Sequence, residues 1–246
     1  MVEAIKELRK ICQRPTPNPT LESRIRRFFS IYLTRVLLYT PITANQVDYI
    51  RILFGISVGV LFALNQYWPG IIAAFLMQFS HFLDWVDGEV ARYRKSESLS
   101  GQYADILAHT VAVTPAIAGI SITNPSVAMF GFSAILFHAF YHDLQPLKNG
   151  IIFLMLNYRL REEGKIEIIN PEISESTAES YHRKLIKGLL PIFNIVFMMH
   201  IICLAAIFNF LNLVILFYGT ALPLIWIIFA YRHIKIGVEP YRHFLK

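Results

Sequence analysis

The chain has 246 residues, 55% hydrophobic and only 16% charged, with 23 Lys and Arg against 17 Asp and Glu for a net charge of +6. Soluble domains carry about 25% charged residues, so this balance sets aside an ordinary soluble enzyme. The two cysteines, Cys12 and Cys203, stand far apart in the sequence and supply no disulfide framework.

Taken in chain order, residues 1–48 read as a cytoplasmic segment. Their first part holds charges without a continuous apolar core, so no cleavable signal peptide is expected. The run PTPNPT at 15–20 breaks any helix. LESRIRRFFSIYLTRVLLY, at 21–39, then mixes Arg with Phe, Ile and Leu at spacings that separate onto two helix faces. This pattern predicts an amphipathic helix lying in the membrane interface; a plain basic tail is the blander reading. Thr40-Pro41 turns the chain toward the first span.

Spanning a bilayer takes roughly 20 mostly apolar residues. Six stretches qualify, near 49–67, 70–92, 102–121, 126–146, 188–208 and 211–231. The expected fold is therefore an all-α integral membrane protein, with six transmembrane helices in a domain over 49–246 and the interfacial helix before it. The 146–187 connection is Glu- and Lys-rich, too short for a separate domain, and its apolar run GIIFLMLNY is too short to cross.

Charge gives the orientation. Nine Lys and Arg fall in the N-terminal segment through Arg51, three at 92–95, seven in 147–187 and four in the tail, which accounts for all 23. The connections around NQYWPG, TNPS and NFLN hold none. The positive-inside rule then puts both termini in the cytoplasm. A basic rim beside anionic lipid explains the net charge without nucleic acid.

Between the second and third spans the chain reads DWVDGEVARYRKSESLSGQYADILAH, residues 84–109. Asp84 and Asp87 are three apart and share a helix face, with Ala91 four further on. Gly101, Asp105 and His109, spaced by four, stack on one face of the next helix. Helical rise places Asp84 roughly 12 Å below Arg92, within the cytoplasmic leaflet. Carboxylates at that depth cost on the order of 2.5–3.5 kcal/mol each, and one arginine cannot neutralise three. A divalent cation can, and carboxylate oxygens suit Mg²⁺ or Mn²⁺, above all when substrate phosphates complete the shell. Gly88 and Gly101 leave room for a bulky substrate against the backbone, and Ala91 keeps that wall low.

The pattern D-x-x-D-G-x-x-A-R, eight residues, then G-x-x-x-D resembles the signature of the CDP-alcohol phosphotransferase family of membrane enzymes. Asp84, Asp87, Gly88, Ala91, Arg92, Gly101 and Asp105 match it in order and spacing. TANQVDYIR, at 43–51, looks like the family's T-P-N-x-x-T-x-x-R, with Ala44 for the proline and Asp48 for the threonine. The resemblance implies that an acceptor hydroxyl attacks a CDP-alcohol and releases CMP. It implies metal-binding roles for Asp84, Asp87 and Asp105. Gly88, Ala91, Arg92 and Gly101 would border the CDP group, with Ser98 and Asn45 close to the nucleotide. It also implies a homodimer and an active site facing the cytoplasm.

His109 stands where the family signature has its last aspartate, the proposed base for the acceptor hydroxyl. Histidine suits a general base near neutrality. Three readings compete: a working base, a metal ligand or positioning residue, and a site that has lost catalysis. The last ranks lowest, because the other costly acids all remain.

Weaker signals come from His138 and His142, four apart near the end of the fourth span, read as a polar helix end that can line the acceptor pocket. His81 reads as packing or support for Asp84, and Glu89 as the partner of a loop arginine. The favoured donor is a CDP-lipid and the favoured acceptor a small polar alcohol. Arg94, Lys95, Lys148, Arg183 and Lys184 tilt the choice toward an anionic acceptor, although a neutral head group fits as well. A soluble CDP-alcohol with a lipid acceptor, a catalytically silent lipid- or nucleotide-binding homologue, and a cation transporter are the alternatives. Transport fits poorly, since the acids crowd one leaflet and no inverted repeat is visible.

Overall fold

A computed structural model describes residues 2–14, 21–140 and 194–236, and every regular element among them is a helix. In chain order these are α1 (Ile5–Cys12), α2 (Leu21–Leu38), α3 (Ala44–Ala63), α4 (Tyr67–Arg94), α5 (Leu99–Ile122), α6 (Pro125–Phe140), α7 (Ile195–Ile207) and α8 (Leu211–Ile236).

Three stretches among the described residues are long and apolar enough to cross a membrane: Ala44–Ala63, Ser100–Ile122 and Leu211–Ile228. α6 and α7 are apolar but shorter. α4 has length enough at 28 residues, but its last turns carry Asp84, Asp87, Glu89, Arg92 and Arg94. The connection at 146–187, with its apolar run, lies outside the described residues.

Local chemistry sets the helix ends around the polar part of the chain. Thr43 opens α3 with a reciprocal capping box: its hydroxyl accepts from Gln46 N–H, while the Gln46 side chain accepts from Thr43 N–H at 2.9 Å. α3 thus starts at Ala44, five residues before the span boundary expected from hydropathy, and this draws Asp48 into the same helix as Arg51. Lys95 closes α4 in the left-handed conformation at φ 52°, and Ser98 caps α5 by accepting from Gly101 N–H at 3.1 Å.

α3 and α5 pack backbone to backbone. A Cβ on Gly59 would sit 2.7 Å from the Cβ of Pro115, and one on Gly119 would strike the Gly59 carbonyl. Only glycine permits this approach, the small-residue contact by which membrane helices associate. α5 packs chiefly on α3 and touches α4 little; α4 in turn lies against α3, α2 and α7. The main core gathers Phe62, Met77, Ile117, Met198, Ile202 and Tyr218 from five helices.

The N-terminal helices dock on α4. Leu8, Cys12 and Ile31 bury together beside Leu38 and Tyr93. α1 itself was not foreseen from the sequence. α2 turns Ser30, Ile31 and Thr34 inward and leaves Leu21, Ile25, Phe28, Phe29, Tyr32 and Val36 exposed. Apolar residues thus lie on both sides of α2, with Ile31 buried toward α1 and the exposed set outward.

Candidate functional site

Three helices, α3, α4 and α5, deliver one polar cluster. Arg51, on the second turn of α3, is 3% exposed and donates to four carboxylates. Nη1 reaches Asp87 Oδ2 at 2.5 Å, Asp48 Oδ1 at 2.7 Å and Asp105 Oδ1 at 2.8 Å, and Nη2 is bonded to Asp84 Oδ1. His109 Nε2 lies 3.1 Å from Asp84 Oδ1 and 3.4 Å from Asp105 Oδ1. Exposure grades across the group, from Asp48 at 4% and Asp87 at 11% through Asp84 at 20% to Asp105 at 42%. The cluster is closed on the α3 side and opens at Asp105.

The structure therefore brings Asp84, Asp87, Asp105 and His109 together, and adds Asp48 and Arg51. The sequence reading counted Arg51 among the rim cations; it is instead a buried partner of the acids. A signal for it existed: two opposite charges three apart at the head of an apolar helix need partners in place.

This donor set fits a divalent ion. Ligand atoms of Asp84, Asp105 and His109 lie within 4.8 Å of one another, as do those of Asp48, Asp87 and Asp105. One guanidinium brings a single positive charge against four carboxyl groups, and hard oxygens crowded around a shared point suit Mg²⁺ or Mn²⁺. The donor sets among the described residues do not include His138, which is buried on α6, and His142 lies outside those residues.

Around the cluster, a Cβ on Gly101 would lie 3.0 Å from Asn45 Oδ1 and 3.3 Å from Ser98 Oγ, so Asn45, Ser98 and Gly101 meet where α3 and α5 begin. Arg92 spreads its guanidinium over Gly88, with its Nη1 3.1 Å from where a Cβ would stand, and its Nε donates to the Cys12 carbonyl. Ala91 packs against the apolar group of Ala44, Val86 and Val90.

Glu89 corrects an expectation. Among the described residues it pairs with no arginine; it is 1% exposed and accepts from Ser30 Oγ and Thr34 Oγ1, each at 2.6 Å, and from Gln13 Nε2 at 2.7 Å. Charge-assisted bonds of this length secure α2 and the end of α1 to α4. Beside it, burial foremost and then the Glu89 carboxylate push the Cys12 thiol up to about 11.

A further polar group adjoins the cluster through Asp84. His81 Nδ1 is 4.0 Å from Asp84 Oδ2, and its Nε2 is 3.9 Å from Glu22 Oε1. Glu22 pairs with Arg26 at 2.7 Å, and His200 of α7 approaches both.

No curated protein matches the chain. Residues 41–225, most of its length and all of the carboxylate cluster, match the family model described as CDP-alcohol phosphatidyltransferase. The chain belongs to the CDP-alcohol phosphatidyltransferase family, membrane transferases of lipid biosynthesis.

Proposed function

We propose that this protein transfers a phosphatidyl unit from a CDP-lipid to the hydroxyl of a small polar alcohol. The observation that carries the reading is the convergence of Asp84, Asp87, Asp105 and His109 on one point within a chain of this family. Mg²⁺ or Mn²⁺ held by Asp84, Asp87 and Asp105 would neutralise the diphosphate and stabilise the departing CMP. Asn45, Gly88, Ala91, Arg92, Ser98 and Gly101 border the nucleotide.

In the step itself, the acceptor oxygen forms a bond to the lipid-side phosphorus. The bond from that phosphorus to the bridging oxygen breaks, and CMP leaves with the electron pair. The hydroxyl proton passes to His109. Carboxylates beside Nε2 favour a proton there, which leaves Nδ1 with the lone pair that a base requires.

The same reading holds that six spans cross the membrane, with both termini and the cluster on the cytoplasmic side and two copies forming a homodimer. The charge distribution supports the orientation, and the exposed apolar stripe of α2 supports its place in the interface. His138 and His142 are kept to the other reading the sequence offered, a polar end of the fourth span.

Purified protein in detergent with Mg²⁺ or Mn²⁺, CDP-diacylglycerol and a panel of alcohols provides the test. CMP release that depends on both alcohol and metal is the expected result. Nucleotide binding without CMP release from any donor would replace the transferase with a silent homologue.

A further inference from the structure

We propose that Glu22, Arg26, His81 and His200 form the seat of the acceptor, and that the acceptor is an uncharged polyol. The inference rests on the transferase reading and deepens it, since it names the substrate class and the residues that hold it.

Three helices converge to make this group: α2 brings Glu22 and Arg26, α4 brings His81, and α7 brings His200. Their exposure falls from 48% at Glu22 and 38% at His200 to 12% at Arg26 and 6% at His81. The polar groups thus run inward from an open mouth to a closed floor. Asp84 lies at that floor, shared between the seat and the carboxylate cluster: one oxygen faces His109 and Arg51, the other faces His81. Nucleotide-bordering residues such as Asn45, Ser98 and Gly101 stand where α3 and α5 begin, whereas Glu22 and Arg26 lie at the start of α2, the end remote in sequence from α3. A molecule entering between α2 and α7 would reach the reacting centre without crossing the nucleotide's path.

The hydrogen bonding is incomplete in a way that calls for hydroxyls. The Nη1 atom of Arg26 is buried and has no partner among the described residues. The two ring nitrogens of His81 stop 3.9 and 4.0 Å short of the Glu22 and Asp84 carboxylates. One oxygen atom donating or accepting at about 2.8 Å on each side closes a gap of that size, as a bridging hydroxyl or water does. His200 Nδ1 lies 2.5 Å from the Val196 carbonyl, so that nitrogen carries a proton and Nε2 points to Arg26 at 3.4 Å. The lining therefore offers donors and acceptors side by side, which matches the dual character of an alcohol.

Charge decides against a phosphorylated acceptor. Arg26 is already paired with Glu22 at 2.7 Å, and the floor ends on Asp84, so a phosphate would enter between two carboxylates. Arg94, counted among the cations that tilt toward an anion, instead donates to the Thr40 carbonyl at 2.7 Å.

The test compares glycerol and inositol with their monophosphate esters as acceptors, using CDP-diacylglycerol and the full-length protein in detergent. Wild type is expected to use at least one free polyol at least tenfold better than its phosphate ester, by kcat/KM. Glu22→Gln and His200→Phe, both at the open mouth, are expected to raise the polyol KM about tenfold while the Kd for CDP stays within twofold. That retained nucleotide affinity also reports an intact fold. A preference for the phosphate ester overturns the substrate class, and unchanged acceptor KM in both variants of an active enzyme overturns the seat. A wild type that releases no CMP with any alcohol overturns the transferase reading and the seat with it.

Discussion

Arg51 Nη1 lies 2.5 Å from Asp87 Oδ2, and both side chains are buried between α3 and α4. A cation fixed inside a carboxylate cluster keeps those groups folded together before any metal arrives. Removing it leaves charges buried without a counterion, which costs about 3–5 kcal/mol when one partner of a buried pair is lost. Arg51→Ala is therefore expected to lower the unfolding temperature sharply in metal-free buffer, measured by intrinsic fluorescence in detergent. Arg51→Lys keeps the charge but loses the two-pronged contact, and its loss of stability should be smaller.

Metal binding is expected to show as stabilisation. A ligand that binds only the folded state adds about 2.7 kcal/mol at a hundredfold excess over its Kd. Adding Mg²⁺ or Mn²⁺ to chelator-treated protein should raise the melting temperature, and Asp84→Asn or Asp105→Asn should abolish the rise. An equal rise in wild type and both variants would place the ion elsewhere.

His109→Ala is expected to cut the transfer rate by about 10²–10⁴, the range for loss of a general base, while CDP-alcohol still binds. Near-normal turnover by that variant would remove the base assignment. A loss of nucleotide binding in parallel would move His109 from proton transfer to metal or substrate positioning.

Cys12 is expected to resist alkylation. With its thiol pushed up to about 11, the thiolate share at pH 8 is on the order of one in a thousand, and the group is shut between α1, α2 and α4. Maleimide labelling of a Cys203→Ala variant should be negligible in the folded protein and complete after denaturation. Glu89→Ala removes the carboxylate that holds Ser30, Thr34 and Gln13. It should expose Cys12 to the same reagent without denaturant.

Spacing alone carried much of the site into view. Asp84 with Asp87, and Asp105 with His109, follow the helical repeat, so their shared faces could be read before any fold was known. Arg51 shares such a spacing with Asp48, but spacing alone does not say what the pair faces. Its position at the head of a span fits a rim cation equally well, and only the docking of α3 against α4 and α5 shows what it faces. Glu89 was misread because its partners Ser30 and Thr34 belong to a helix expected to rest on the membrane, whereas α2 turns that face onto α4. α1 escaped notice although Ile5, Leu8 and Cys12 recur at helical spacing, because a helix of eight residues stands only when docked, as here on α2 and α4.

The glycine contact between α3 and α5 has a mechanical outcome. With Gly59 and Gly119 in backbone contact, Arg51 and Asp105 ride on one stiff beam, while Asp84 and Asp87 belong to α4, which barely touches α5. α4 joins that beam through α3, where Arg51 ties Asp84 and Asp87 to it. Glu89 in turn fastens α4 to α1 and α2, so the N-terminal pair is anchored to the same helix that carries Asp84 and Asp87.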